Sequence, residues 1–256
     1  MTGPQAAPGT ALVTGAAQRI GRAMAVDLAA TGWRVAVHYN GSAQAAEETV
    51  SIIRAAGGTA EAVDCDLSDE TLTANLVARA ADALGPVTLL VNNASLFEKD
   101  MPNTATRDSW DAHMAINLRA PFVLCQGFVR GLQDKGGGNI VNVCDQRVLN
   151  LGLGFTSYSL SKYGLWGLTQ MLARDLAPRV RVNAIGPGPT LPSPRQTAEQ
   201  FADQWRATPL ERPVDPGDIC RALRFILDAP SLTGQIIALD SGQHMGAAWD
   251  KDAVLE

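Results

Sequence analysis

Short apolar runs alternate along this chain with longer stretches in which apolar side chains recur every three or four positions. The runs 11–14, 35–39, 60–63, 89–92, 140–143, 180–185 and 236–239 are mostly rich in Val, Ile and Leu, with little polar alternation. A strand buried on both faces has that pattern, because neither set of alternate side chains meets water. The helical period occupies 22–30, 43–56, 69–84, 110–131 and 158–176. Gly32, Gly57, Gly58, Gly85, Pro86 and the glycines 136–138 stand where those helices should stop. The β-α-β alternation with right-handed crossovers predicts an α/β fold of the Rossmann type. It is a doubly wound parallel sheet of about seven strands with helices on both faces. The length of 256 residues suits one domain spanning 1–256, and such a chain buries roughly three quarters of its unfolded surface without staples.

One segment breaks the rhythm. Residues 186–196 hold Pro187, Pro189, Pro192 and Pro194, and a short helical pattern follows at 199–205. Ligands of open α/β sheets bind beyond the carboxyl ends of the strands. An excursion leaving the strand 180–185 therefore reads as a substrate lid at about 187–212, with an ordinary surface loop as the alternative.

Composition narrows the function. The formal net charge of −5 argues against a nucleic-acid partner, which favours basic patches. Cys65, Cys125, Cys144 and Cys220 form no C-x-x-C pair, and His38, His113 and His244 are far apart, so no metal site is expected. The cysteines read as small buried hydrophobes in a reducing compartment. Residues 1–10 lack the pattern of a secretory signal, and no apolar run is long enough to span a bilayer. A cytoplasmic protein without membrane contact is the expectation.

The stretch Thr14-Gly15-Ala16-Ala17-Gln18-Arg19-Ile20-Gly21 joins the first strand to the first helix. Glycine lets the backbone approach a pyrophosphate, and a helix N-terminus supplies N–H donors and partial positive charge. Turn glycines without a ligand are the alternative. At the end of the second strand, where many NAD proteins hold ribose hydroxyls with a carboxylate, the chain reads His38-Tyr39-Asn40-Gly41-Ser42. No carboxylate comes before Glu47, and Asn40 and Ser42 can hydrogen-bond a 2′-phosphate, so NADP(H) is favoured over NAD(H).

Tyr158 and Lys162 are four apart on a predicted helix and share one face. The ammonium is expected to favour tyrosinate, lowering a phenol pKa that starts near 10 and tuning Tyr158 as a proton donor.

These pieces, in this order, resemble the short-chain dehydrogenase/reductase family: Thr14–Gly21, Asp66-Leu67, Asn92-Asn93-Ala94, Asn117, Tyr158 with Lys162, and Pro187-Gly188. The resemblance implies that Gly15, Ile20, Gly21, Asp66, Leu67, Asn93, Ala94, Pro187 and Gly188 line a dinucleotide site, that Asp66 contacts adenine, and that Asn117 supports a water and lysine proton relay. It also implies a homotetramer. Arg19 departs from the common form by replacing a middle glycine. A guanidinium there can pair with pyrophosphate and face the substrate, or merely be solvated at the helix start.

A second departure is chemical. Relatives place a serine thirteen residues before the tyrosine, where its hydroxyl hydrogen-bonds a substrate carbonyl; here Asp145 stands there. An ionised carboxylate only accepts hydrogen bonds, so it suits a substrate rich in N–H groups or needing a proton at nitrogen. Phe97 can stack on a flat heterocycle, or serve as a core or lid aromatic. Arg19, His38-Tyr39, Ser95, Phe97 and Asp145 together resemble pteridine reductases and dihydromonapterin reductases. That likeness implies that Asp145, Tyr158 and Lys162 handle the proton, that Phe97, Ser95 and Arg19 hold a pterin, and that Thr190 lies near cofactor phosphates. The expected reaction is hydride transfer from NADPH to a dihydropterin or dihydrofolate-like substrate. A carbonyl reductase acting on a ketone or 3-oxoacyl group, and a dinucleotide-binding sensor without catalysis, remain as alternatives.

Overall fold

The computed structural model describes residues 8–132 and 136–246. The strands are β1 (Thr10–Val13), β2 (Arg34–Tyr39), β3 (Thr59–Asp64), β4 (Val87–Asn92), β5 (Gly138–Val143), β6 (Val180–Pro187) and β7 (Ile236–Leu239). They form one parallel sheet in the order β3-β2-β1-β4-β5-β6-β7. The helices are α1 (Arg19–Ala30), α2 (Ala43–Ala55), α3 (Glu70–Leu84), α4 (Arg107–Met114), α5 (Ala120–Gly131), α6 (Thr156–Asp175), α7 (Ala198–Arg206) and α8 (Pro216–Asp228).

Alternation within each strand feeds two cores. Ala11, Val13, Val35, Val37, Leu89 and Val91 pack beneath α1, α2 and α8. Leu12, Ala36, Leu90 and Ile140 point the other way, into a core shared with α3, α5 and α6. With both faces covered, most strand positions are apolar, which makes the strands legible as apolar runs, and the buried polar exceptions are paired, as Asn92 is with Asn142 at 2.8 Å.

Three expectations change. The helix predicted over 110–131 begins at Arg107, where the Thr106 hydroxyl caps the Ser109 N–H at 3.1 Å, and a π-helical turn, Ala115–Arg119, separates α4 from α5. The glycines 136–138 do not end that helix, which stops at Gly131. Gly138 instead opens β5, where a Cβ would meet the Phe128 ring at 2.6 Å. Helix α8 was not expected at all, although Asp215 caps it and Pro216 opens it, a pairing that suits a first helical turn.

Strand β6 carries the pin for α8. Nη1 of Arg181 donates to the carbonyls of Ile226, Ala229 and Leu232 at 2.8, 3.0 and 2.9 Å, and Nη2 donates to Leu227 O at 3.0 Å. One guanidinium thus satisfies acceptors that the helix end leaves orphaned and places positive charge at the negative end of the helix dipole.

The strand order reverses direction between β1 and β4, so a crevice opens beyond their carboxyl ends. All of the site described below is built on that edge. Arg181→Met is expected to cost roughly 2–4 kcal/mol, from the charged hydrogen bonds lost and the carbonyls left unpaired. Urea unfolding monitored by circular dichroism measures it, and Arg181→Lys should recover only part because one ammonium cannot span four acceptors.

Candidate active site

Thr14 follows β1 and Asn93 follows β4, and the two are tied together. The Thr14 hydroxyl oxygen accepts from the backbone N–H groups of Asn93 and Ala94 at 2.9 and 3.0 Å, and the Asn93 amide donates to Thr14 O at 2.8 Å and Gly15 O at 3.2 Å. The loop lies so close that a Cβ on Gly21 would meet Gly15 O at 2.1 Å. Gly15 has φ +61 and leaves no room against Ala94. Backbone exposed in this way, at the start of α1, forms a cradle for an anion.

The cavity over this cradle has a volume of about 440 Å³. Gly15, Arg19, Ile20 and Gly21 line its floor; His38, Tyr39, Asn40 and Ser42 line the β2 end; Asp66, Leu67, Asn93, Ala94 and Ser95 complete it. These residues fit a dinucleotide: a Gly cradle for pyrophosphate, and a β2 end carrying no carboxylate. Ala17 and Gln18, inside the Thr14–Gly21 loop but not singled out from sequence, also line it, as do Leu96 and Ile116, which stand in no family motif.

His38 differs from a simple lining residue. Its Nδ1 accepts from the Gly15 N–H at 2.9 Å, which leaves Nε2 to donate to Cys65 O at 3.1 Å. Both ring nitrogens serve the protein, and the imidazole supports the loop in its neutral form. Burial drives its pKa down to about 4.

A second cavity, of about 630 Å³, adjoins the first through Arg19, Ile20, Asn93 and Ser95. Phe97, Asp145, Tyr158, Lys162, Pro187, Gly188 and Thr190 all line it. The Tyr158 hydroxyl donates to Asp145 Oδ2 at 2.7 Å. Asp145 leaves β5 and its side chain is 19% exposed, whereas Tyr158 and Lys162 are buried on the first turns of α6. Burial raises the Asp145 pKa, against hydrogen bonds from the Arg147 N–H and Tyr158 and the charges of Arg147 and Lys162.

The expected lowering of the Tyr158 pKa does not occur. Burial first, then the charge and hydrogen bond of Asp145, raise it well above the ordinary phenol value. Lys162 Nζ instead donates to Val143 O at 2.8 Å and stands 5.9 Å from the phenol ring centre. The carboxylate, being in direct contact, wins over the ammonium. Burial also lowers the Lys162 pKa, opposed by Cys144 and Asp145.

Asn117 sits in the π turn, fully buried, with its amide committed elsewhere. It accepts from Leu96 N–H at 2.8 Å and donates to Leu96 O at 2.9 Å and Ser161 Oγ at 3.0 Å. The side chain therefore fixes the Ser95–Leu96 backbone to α6 and makes no direct bond to Lys162 among the described residues. Asp100, missed in the sequence, anchors the same helix: its carboxylate accepts from the Ser157 N–H at 3.0 Å and the Ser109 hydroxyl at 2.6 Å, an anion at the positive end of α6.

Arg19 adopts φ +57, the left-handed region where glycine is at ease. Its guanidinium crosses to the 187–212 excursion and donates to Pro192 O at 2.8 Å and Leu191 O at 3.1 Å. From the excursion, Arg195 bonds Glu98 and Phe97 O. The excursion is thus tied to both walls of the second cavity, and Leu191, Ser193, Gln196, Phe201 and Gln204 line it. Thr190 donates to Gly188 O at 3.0 Å. No His/Cys/Asp/Glu group able to hold a metal occurs among the described residues, and the four cysteines are buried and free. No described helix is long and apolar enough to cross a membrane.

The neutral His38 makes stability depend on pH. The unfolded imidazole binds its proton near pH 6.5 and the folded one only near 4, so the contribution is complete above 6.5 and is lost as pH falls through that window. Its full extent is about 3 kcal/mol. Urea midpoints between pH 7 and 4 are expected to fall in the wild type, and His38→Gln should flatten that part of the slope.

The fold and site can now be set beside known proteins. Residues 9–203 match the family described as short chain dehydrogenase. A 3-oxoacyl-[acyl-carrier-protein] reductase of Synechocystis is 32% identical over 92% of this chain and 96% of its own length. The crystal structure of FolM alternative dihydrofolate reductase 1 from Brucella canis, complexed with NADP, superposes with a TM-score of 0.91 at 44% identity, covering 97% of this chain and 98% of that one. The Brucella suis protein of the same name, also with NADP, gives 0.91 at 45% identity over 94% and 97%. With the Gly cradle at the β1/β4 crevice and the tyrosine and lysine on one helix turn, the chain belongs to the short chain dehydrogenase family and is an oxidoreductase that uses NAD(P).

Proposed function

We propose that this chain reduces a dihydropterin or dihydrofolate-like substrate with NADPH, using Asp145 and Tyr158 to deliver the proton. The observation that carries the reading is the 2.7 Å hydrogen bond from Tyr158 to Asp145, in the cavity that Phe97 also lines. Where a carbonyl reductase needs a donor for a developing oxyanion, this cleft presents a carboxylate. A carboxylate repels an oxyanion, but it accepts from the N–H groups of a pterin and, when protonated, returns a proton to nitrogen. The resemblance to the two Brucella proteins named as alternative dihydrofolate reductases, both complexed with NADP, supports the same substrate class and cofactor.

In this reading the dinucleotide supplies the hydride. The Gly15–Gly21 cradle and Asn93 hold its pyrophosphate, and Asn40 and Ser42 offer hydrogen bonds to a 2′-phosphate. Tyr158 is a neutral donor aligned by Asp145, and Lys162 secures α6 to β5 and adds positive charge behind the phenol. Phe97 offers a flat apolar face to the heterocycle. The excursion at 187–212, clasped by Arg19 and Arg195, acts as the lid that excludes water from the reacting atoms. The homotetramer belongs to the same proposal: Leu160, Tyr163 and Met171 on α6 and Trp110 on α4 are exposed, although large and apolar.

A carbonyl reductase is the second reading, favoured by the 3-oxoacyl reductase of Synechocystis. Dihydrobiopterin, dihydrofolate and a panel of ketones including a 3-oxoacyl thioester, each with NADPH and NADH, separate the two. Turnover of the pterins with NADPH is expected; turnover of ketones alone would sink the pterin reading. Tyr158→Phe is expected to lower kcat roughly 10²- to 10⁴-fold while NADPH binding, followed by fluorescence, persists. Undiminished activity in that variant would remove the assigned proton donor, and absence of turnover in the wild type would favour a sensor.

A further inference from the structure

Asp145 begins a short turn, Gln146–Val148, whose middle residue belongs to none of the motifs above. The backbone N–H of Arg147 donates to Asp145 Oδ1 at 2.8 Å, and its side-chain Nε stands 4.0 Å from the same oxygen. The guanidinium lies over the Phe155 ring, 5.2 Å from its centre. Phe155 in turn stacks on Phe97, with centres 4.4 Å apart and planes at 4°. Phe97 meets Tyr158 edge-on at 4.6 Å, and Tyr158 returns to Asp145 through its hydroxyl. The contacts close into a circuit of five side chains, all of which line the second cavity.

Two local features hold the circuit in shape. Phe155 has φ +54, a conformation that a bulky residue adopts only when its surroundings enforce it. Gly152 leaves space for the guanidinium, since a Cβ there would meet Arg147 Nη1 at 2.7 Å. The Arg147 side chain is only 17% exposed, so solvent screens its charge weakly.

We propose that Arg147 is a positioning residue: its guanidinium, 4.0 Å from the carboxylate, favours the anionic form of Asp145 against the cost of burial, and it braces the Phe155–Phe97 wall against Tyr158. The groups facing Asp145 support this division of labour. From α6, Tyr158 gives a neutral hydroxyl, and Lys162 spends a hydrogen bond on Val143 O. From β5's end, burial holds the Cys144 thiol neutral, its pKa pushed up to about 12. Arg147 is the cation paired with the carboxylate. A planar guanidinium does both tasks, since one face covers an aromatic ring while its edge meets a carboxylate.

The proposal rests on Asp145 being the titrating group of the reaction, and the test separates the two. The pH dependence of kcat/KM with NADPH, on whichever substrate is turned over, is measured for wild type, Asp145→Asn, Arg147→Gln, Arg147→Lys and Phe155→Leu. The limb that reports Asp145 is the one abolished in Asp145→Asn; if it survives there, the reading of Asp145 fails and this inference with it. In Arg147→Gln that limb is expected to move up by about one pH unit, and an unmoved limb overturns the inference alone. Arg147→Lys keeps the charge and loses the planar face, so the limb holds its wild-type position while KM rises. Phe155→Leu leaves the limb in place and raises KM roughly three- to tenfold. An unchanged KM in both of these variants removes the bracing role.

Discussion

A carboxylate taken mostly out of water must find donors, and Asp145 finds them from three directions: the Tyr158 hydroxyl, the Arg147 N–H and, farther off, the Arg147 guanidinium. Much of the site's geometry follows from meeting that need. The phenol must point at β5's end, so α6 must begin where it does, and the Asp100 carboxylate pins its first turn. Burial and the same bond make the phenol a reluctant acid. In the proposed reading, the proton held between carboxylate and phenol is the one delivered to a substrate nitrogen.

The dinucleotide end obeys a steric constraint instead. Thr14 and Asn93 draw the ends of β1 and β4 together until glycine alone fits at positions 15 and 21. His38 completes this from β2, its neutral ring bridging the Gly15 N–H and the Cys65 carbonyl. Three neighbouring strands thereby set the loop's shape before any ligand arrives, so little ordering entropy is left to spend on binding.

Between the two ends, Arg19 does the work of linkage. It occupies a backbone conformation suited to glycine and lines both cavities, and it reaches the carbonyls of Leu191 and Pro192. Arg195 makes the complementary clasp from the excursion to Phe97 O and Glu98. The excursion is thus tied to the phosphate loop on one side and to the aromatic wall on the other.

Sequence alone determined the sheet, because strands covered on both faces are dominated by apolar side chains, and the loop Thr14–Gly21 together with the other family motifs pointed to the dinucleotide cleft. Helical spacing put Tyr158 and Lys162 on one face of a helix, and the family resemblance brought Asp145 beside them. What it could not reach were the consequences of contact at a distance. The sign of the Tyr158 shift depended first on how deeply the phenol is buried and then on the carboxylate that touches it. The two uses of His38 and the commitment of Asn117 to the Leu96 backbone arise from partners more than twenty residues away. Arg147 and Phe155 carried no motif, yet folding stacked them into the wall of the cleft. Periodicity records which face of an element is buried; only the packed chain decides which buried groups meet.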